Sequence, residues 1–549
     1  MTIETAGRIA LHFGLAFGIA FSSCLAQENS RPETHADTSA ERSQNPDLLS
    51  FEDLVALSST AKPEGGLAER LSALLNVPFV QTEGAPANIQ PYRPTVTGLG
   101  VVLRVGQWNI ERGLNFDLIR SALSSPGEFL RMTNADDRLI SHQKGVIESQ
   151  LATLQGVDVL VLNEVDWGMK RTEYRDVARE LAAVLHMNYA YGVEFVEVDP
   201  LFDLDTNQVH LTNPQQEQRL QQDLQVDRQR YHGLHGTAIL SRYPIEHVRI
   251  LRLPVCYDWY EKEYKAISQL ERGRRWSADK LFRERVEREL RQGGRMALIA
   301  DISLPDLPTG RATIVATHLE NKCPPGCRRR QLQALLAELR SDKNPVVIAG
   351  DLNTTSRDNT PTSLRNEIMT RVTDYKFWAG QAVSHFHPLG VFQYILVPVR
   401  YFHGYNDPTA FHLPVLWDNR EQPLFKTVEK FRFADGYAFD FRGEPDRTLP
   451  SKRRSLADSN QRGPKGFTPT YAFARNYGGL VGRFKLDWIF VKPFIEDPRR
   501  TEQSYRFAPH FPITMRELND SVEDRISDHP PMTVDLPLTE PTKFAALKW

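Results

Sequence analysis

From Gly98 onward, apolar runs rich in Val, Ile and Leu each break into a polar cluster: "VVLRVGQWNIERG", "VDVLVLNEVDWG", "GTAILSRYPI", "RMALIADISL", "ATIVATHLEN", "PVVIAGDLNTTS", "KLDWIFVKP" and "PPMTVDLPL". Runs of this length, bounded by turn-forming residues, predict eight strands. Near-continuous apolar strands are covered on both faces, so sheets sandwiched by helices are expected. The helices are predicted in "HQKGVIESQLATLQG", "RDVARELAAVLH" and "RRRQLQALLAELRS".

Upstream, "LLSFEDLVALSS" and "LAERLSALLNVPF" repeat apolar residues at helical spacing and predict two short helices. Before them, "QENSRPETHADTSAERSQN" is polar and lacks aromatics, which marks a linker. Three stretches interrupt the strand pattern as insertions: a Gln-rich one at about 205–232, a charged, helical one at 257–293, and a long one at 356–482. The last holds "FHPLGVFQYILVPVRYFHGYNDPTAFHLPVLW", whose aromatics and histidines predict a packed lobe.

The start changes the compartment. Arg8, an apolar run from Ile9 to about Phe21 and the small residues up to "CLAQ" have the layout of a secretory signal peptide over 1–26. Export to a periplasmic or extracellular space is therefore expected. Cys24 is a poor lipoprotein match, because Phe21 stands three positions before it. The expected plan is a signal peptide (1–26), a polar linker with short helices (27–97) and a main domain (98–540).

Composition then removes options. Lys plus Arg 67 against Asp plus Glu 69 gives a net charge of -2, so no global basic field draws this chain onto nucleic acid or anionic lipid. Any polyanion must be met locally. After loss of the signal peptide three cysteines remain, Cys256, Cys323 and Cys327.

Acidic, amide and imidazole residues fall at or just beyond the predicted strand ends: Asn109 and Glu111, Asn163 and Glu164, His318, Asp351 and Asn353, Asp487, and Asp528 with His529. Singly, each has a plain structural reading: "GDLN" is also turn chemistry and "SDH" also a capped loop. As a series they predict one edge where side chains distant in sequence meet on rigid strands.

The ordered set "WNI", "NE", "SRYP", "THL", "GDLN", "LDWIF", "SDH" resembles the endonuclease/exonuclease/phosphatase superfamily, the deoxyribonuclease-I-like fold, over about Gly98 to Leu538. The resemblance implies an α/β fold: a four-layer α-β-β-α sandwich of two mixed sheets flanked by helices, here with large insertions. It also implies metal-dependent hydrolysis of a phosphate ester. Carried over, Glu164 would be the principal carboxylate ligand of a divalent cation, with Asn109 beside it on metal or phosphate and Asp528 as a further ligand. Hard oxygen ligands suit Mg2+, and Mn2+ should substitute. His529 would be the general base, oriented by Asp528 or a neighbouring carboxylate. Asp351 and Asn353 would position the attacking water and hold a phosphate oxygen. His318 would donate a hydrogen bond or proton to the phosphoryl or leaving group, and Asp487 would fix the second histidine or a metal water. Asn163 stands where many members have Gln.

Arg171 in "DWGMKRT" lies close enough after the Glu164 strand to be expected on a substrate phosphate; Arg242 of "SRYP" is read instead as pairing with a surface carboxylate. In "HLENKCPPGCRRRQ", a zinc site fails on ligand count. A short loop through "PPG" predicts a Cys323–Cys327 disulfide in an exported protein. Arg328, Arg329 and Arg330 open a helix and point in different directions, so they form no continuous patch.

The substrate stays open between nucleic acid, phospholipid and a small phosphate ester; no obligate protein partner is expected. A sphingomyelin-type phosphodiesterase would use "FQYILVPVRYFHGY" at a membrane. A silent binding module on the same fold is a further alternative, which loss of Glu164 or either histidine would have signalled.

Overall fold

The computed structural model describes residues 45–82, 90–133, 141–198, 226–264, 289–354, 356, 421–440, 460–463, 466–472, 483–494, 506–508, 510, 512–523 and 525–540. They belong to one unit, Gln44–Trp549; the unit Met1–Ser43, with the signal-peptide and Cys24 expectations, falls outside the described residues. The segment "FQYILVPVRYFHGY" does too.

In chain order the strands are β1 (Phe79–Gln81), β2 (Thr95–Val96), β3 (Gly100–Arg112), β4 (Val159–Trp167), β5 (Asn188–Glu197), β6 (Leu234–Ser241), β7 (Ile245–Arg252), β8 (Arg291–Gly293), β9 (Met296–Ser303), β10 (Arg311–Thr317), β11 (Val346–Asp351), β12 (Arg462–Gly463), β13 (Gly466–Phe467), β14 (Tyr471–Ala472), β15 (Arg483–Phe484), β16 (Asp487–Lys492), β17 (Ile513–Thr514) and β18 (Met532–Pro537). The helices are α1 (Phe51–Ser58), α2 (Gly65–Asn76), α3 (Phe116–Ser124), α4 (Pro126–Met132), α5 (Ser141–Gln155), α6 (Val177–Leu185), α7 (Trp259–Tyr264), α8 (Pro325–Glu338), α9 (Gln422–Lys430) and α10 (Arg516–Asn519). Each of the eight runs read from the sequence contains a strand.

Among the described residues, nine strands form one sheet in the order β1-β5-β6-β4-β3-β18-β17, with β2 on β3 and β8 on β5. A second sheet of five runs β16-β11-β10-β9-β7. Both are mixed: β3–β4 and β10–β11 are parallel, their other partners antiparallel. Leu103, Val105, Val161 and Ile239 of the first sheet pack against Leu298, Ile314, Val347 and Ile489 of the second. The outer face of the first sheet is covered by α5 and α6 through Leu151, Leu154, Leu181 and Leu185, together with Leu54 and Leu74 of α1 and α2. The outer face of the second is covered by Leu332, Leu335 and Leu336 of α8 and by Leu424, Phe425 and Val428 of α9. This is the helix–sheet–sheet–helix layering that the resemblance implied. Each fully buried aliphatic side chain in these layers stabilises the fold by about 1.5–3 kcal/mol.

The strand period of two does more than build the core. Leu103 and Val105 face the opposite sheet, and so do the next alternate residues on β3, Gln107 and Asn109. The same continuation runs Val159, Val161, Asn163 on β4 and Ile314, Ala316, His318 along β10. It recurs as Val347, Ala349, Asp351 on β11 and, reversed, Val491, Ile489, Asp487 on β16. One face of each strand is thus apolar within the sandwich and polar at its edge.

The stretch read as helical over 257–293 starts as α7 but ends as β8, which adds to the first sheet with Val196↔Gln292 in register. Gly293 permits this. Its φ is +113, and a Cβ there would meet the Glu194 carbonyl oxygen at 2.4 Å.

Candidate active site

The polar edge of the sandwich is where the residues singled out in the sequence meet. Asn109 Nδ2 donates to Glu164 Oε1 at 3.1 Å and to Asp351 Oδ2 at 3.3 Å, joining both sheets. Glu111 and Glu164 lie at bulges in the adjacent strands β3 and β4, with φ of +47 and +52. Left-handed φ in a glutamate is strained, and bulges re-aim side chains next to active sites. Asp528 joins them: its backbone N–H donates to Glu111 Oε2 at 3.2 Å.

These carboxylates crowd one another. Burial, reinforced by the charges of Asp528 and Glu164, pushes the Glu111 carboxyl up to about 8. Burial and Glu164 likewise raise Asp528. Glu164 goes the other way: burial opposes its ionisation, but His235, Arg112, His529 and the Asn109 amide together hold it below the usual carboxylate range. A set of hard oxygen donors that repel one another in a buried place fits a divalent cation. Sequence reasoning placed Glu164, Asn109 and Asp528 in that set and gave Glu111 no role. The signal for Glu111 was its place two residues after Asn109, which matters only once the bulge turns it inward.

His529 precedes β18 and is held from three sides. Trp108 Nε1 donates to its carbonyl at 2.8 Å, its N–H donates to Ser527 Oγ at 3.2 Å, and its Nδ1 meets Asp487 Oδ2 at 2.7 Å. Burial works against an imidazolium here, yet Asp487, Asp528 and Asp351 raise its pKa well above the usual value. Asp487 is therefore the carboxylate on its ring, while the Asp528 carboxylate accepts from Ser527 Oγ at 3.3 Å. Asp487 is itself fixed by Gln107 Nε2 at 2.9 Å. Asp351, Asp487 and His529 hold donor atoms within 4.8 Å of one another, a second cluster able to bind a metal.

His318, at the end of β10, sits across from it. Asp351 Oδ2 lies between the two imidazoles, 3.6 Å from His318 Nε2 and 3.7 Å from His529 Nε2. Burial, reinforced by Asp487 and Glu164, pushes Asp351 up to about 7 against the opposing pull of His529. Asn353, at φ +47, donates its N–H to Asp351 Oδ1 at 2.8 Å, and its Nδ2 lies 3.0 Å from His318 Nε2. Gly350 allows the close approach: a Cβ there would stand 1.8 Å from the Thr317 carbonyl oxygen. Asn163 ties the two sheets, accepting from the Asp351 N–H at 3.0 Å and donating to the Thr317 carbonyl at 3.2 Å. It is a structural stitch.

Three expectations are corrected. Arg171 is instead largely buried against two carboxylates, with Nε 2.6 Å from Asp166 Oδ2 and Nη2 2.8 Å from Glu197 Oε1. Burial alone would lower its pKa, but these two carboxylates raise it well above the usual value. Asp166 also holds His235 Nδ1 at 2.9 Å, a third buried histidine beside the site that a reading of where strands end missed because it lies at the start of β6, which runs antiparallel to β4. Arg242, expected on a surface carboxylate, bonds the Val157 carbonyl at 3.2 Å and covers the Tyr92 ring at 3.9 Å.

The disulfide is the third correction. It joins Cys256 to Cys327, with Cα atoms 5.8 Å apart, and leaves Cys323 as a thiol. Cys327 lies in the first turn of α8, where the helix presents it to the segment after β7. Cys323 instead turns to the Glu320 carbonyl at 3.4 Å, and Arg328 Nη1 donates to the Cys323 carbonyl at 2.8 Å.

Residues 106–529 match the model of the Endonuclease/Exonuclease/phosphatase family. Among solved structures, the chain is similar to an endonuclease/exonuclease/phosphatase from Beutenbergia cavernae DSM 12333 (16% identity, TM-score 0.35, 80% of this chain and 72% of that one). It is also similar to the 3'-5' exonuclease of Neisseria meningitidis (12%, 0.33, 79% and 99%). A third is sphingomyelinase C from Streptomyces griseocarneus (13%, 0.29, 79% and 99%). At these TM-scores none bears on substrate. No curated protein matches this chain.

Proposed function

This chain belongs to the endonuclease/exonuclease/phosphatase family, and we propose that it is a Mg2+-dependent phosphoric ester hydrolase acting on a phosphodiester or phosphomonoester, exported from the cell. The observation that carries this reading is the convergence of His318 and His529 on one Asp351 oxygen, with a carboxylate cluster beside it. A structural ion-pair network has no need of two imidazoles aimed at the same point.

Glu164, Glu111, Asp528 and the Asn109 amide would hold the cation, which when bound neutralises phosphoryl oxygens and lowers the cost of charge at phosphorus. In its neutral form His529 takes the proton of the attacking water at Nε2, because its Nδ1 is committed to Asp487, which then stabilises the imidazolium. Asp351 and Asn353, rigid through Asn163 and the backbone, place that water. His318 meets the phosphoryl oxygens from the opposite side.

The test is one panel: duplex DNA, bis-p-nitrophenyl phosphate, a phosphomonoester and sphingomyelin, each with Mg2+ and with EDTA, alongside Glu164→Ala and His529→Ala. Hydrolysis that EDTA stops and both variants lose is expected. Activity persisting in EDTA would end the metal assignment, and equal inertness of wild type and variants across the panel would end the enzyme reading. The layout of residues 1–26 supports export; a mature protein that begins at Met1 in the cytoplasm would refute it.

A further inference from the structure

We infer that Arg295 is a positioning residue that fixes His318 as the tautomer with its ring proton on Nε2, directed into the reaction space. Arg295 Nη1 lies 2.8 Å from His318 Nδ1 and 2.7 Å from Glu194 Oε2. One guanidinium nitrogen thus fills the gap between an imidazole and a carboxylate whose own atoms are 3.8 Å apart.

A guanidinium has donors and no lone pair. Its contact with Nδ1 is a hydrogen bond only if Nδ1 offers a lone pair, and in a neutral imidazole the proton then resides on Nε2. Were the arginine missing, Glu194 would be the group facing Nδ1, and a carboxylate calls for N–H there. The inserted cation reverses the tautomer that a bare histidine–carboxylate pair would select.

The guanidinium is held firmly enough to do this. Its side chain is buried between β5 and the segment that follows β10, its Nε faces Glu320 Oε2 at 3.6 Å, and it lies 5.2 Å over the Phe195 ring. Glu194 is anchored in turn by the Thr237 hydroxyl at 2.5 Å.

On the far side, Nε2 looks toward Asn353 Nδ2 at 3.0 Å, Asp351 Oδ2 at 3.6 Å and Glu164 Oε1 at 4.0 Å. Two donors cannot both be satisfied by a neutral ring. The arginine cannot yield, so the amide does: Asn353 Nδ2 keeps its bond to the Leu319 carbonyl at 3.0 Å, and Nε2–H is left for an oxygen. The nearest carboxylate oxygen is Asp351 Oδ2, which at 3.6 Å stops short of a hydrogen bond; under the hydrolase reading a phosphoryl oxygen accepts that bond. His318 is then a fixed donor, unlike His529, whose Nδ1 faces a carboxylate.

The experiment uses full-length protein labelled with [15N]histidine, with no substrate or metal added, and His318 signals assigned through His318→Gln. Wild type and Arg295→Lys are expected to show a pyridine-type shift at Nδ1 and a pyrrole-type shift at Nε2. Arg295→Met is expected to give a pyrrole-type Nδ1, as the proton moves toward Glu194. A pyrrole-type Nδ1 in wild type overturns the inference, as does an Arg295→Met spectrum identical to wild type; if Arg295→Met does not fold, the wild-type spectrum decides alone. The kinetic arm rests on the proposed hydrolysis: Arg295→Met should lower kcat about 10²-fold with KM nearly unchanged, and Arg295→Lys should recover most of it. Inert wild type on every substrate would refute the hydrolase reading and leave the spectrum to judge the arginine, so the two failures are separate.

Discussion

The two histidines of the site are mounted as opposites. His529 comes from the loop before β18, in the first sheet, and is backed by Asp487 of the second; His318 ends β10, in the second sheet, and is backed by Glu194 of the first through Arg295. Each imidazole is therefore gripped across the sandwich. One rests on an anion, which raises its hold on a proton, and the other on a cation, where burial first and Arg295 next hold its pKa well below the usual range. Groups whose surroundings drive them apart in this way take different roles in one reaction.

The sharpest way to break this comparison is Asp487→Asn, which keeps the size and removes the charge behind His529. A fall in kcat of about 10⁴-fold is expected, because the ring loses the partner that orients it; initial rates on bis-p-nitrophenyl phosphate within tenfold of wild type would dismiss the anion-backed role. Next in size is Arg171→Met, beside the Asp166–His235 pair. It takes a shared cation from two buried carboxylates and leaves Asp166 only His235 and Glu197 only Arg291, so a stability loss of about 3 kcal/mol is expected in denaturant unfolding. A loss below 1 kcal/mol would return Arg171 to the list of substrate contacts.

The turn after His318 gives a third contrast. Cys256→Ser should cost about 2–4 kcal/mol by opening a closed loop, whereas Cys323→Ser should cost about 1 kcal/mol or less. Peptide mapping without reductant should find the Cys256 and Cys327 peptides linked, and a Cys323–Cys327 peptide would reverse the assignment. The smallest effect sharpens the comparison most. Gln can accept from Arg295 and still donate into the site, so His318→Gln should retain activity to within about tenfold, while His529→Gln loses about 10³-fold or more. Equal losses from both would mean the histidines act alike.

Much of this site is legible in the chain because strand alternation is local. "VDVLVLNE", "TIVATH" and "VVIAGD" each carry apolar residues on one face and deliver a polar residue on that same face at the strand end. What alternation does not mark is a residue that matters through a partner on another strand. Glu194 lies in the middle of β5, a strand whose Tyr, Gly and Glu content hid it among the apolar runs, and Arg295 lies in the turn before β9. His235 is the second residue of β6, an antiparallel strand that starts rather than ends at this edge. The cysteines went astray for a related reason: chain proximity favours Cys323 with Cys327, but the start of α8 sets the direction of Cys327 and aims it at Cys256.

The sequence by itself determined the layered α/β architecture, the order of its motifs and which residue types meet at the edge, because apolar periodicity and turn chemistry act over a few neighbours. Only the tertiary structure decided that Glu111 joins the carboxylates, that Arg171 is sealed away, and that His318 and His529 face partners of opposite charge. Those outcomes depend on which side chains two packed sheets bring within about 3 Å of each other, a distance scale at which hydrogen bonds form and no spacing along a strand is informative.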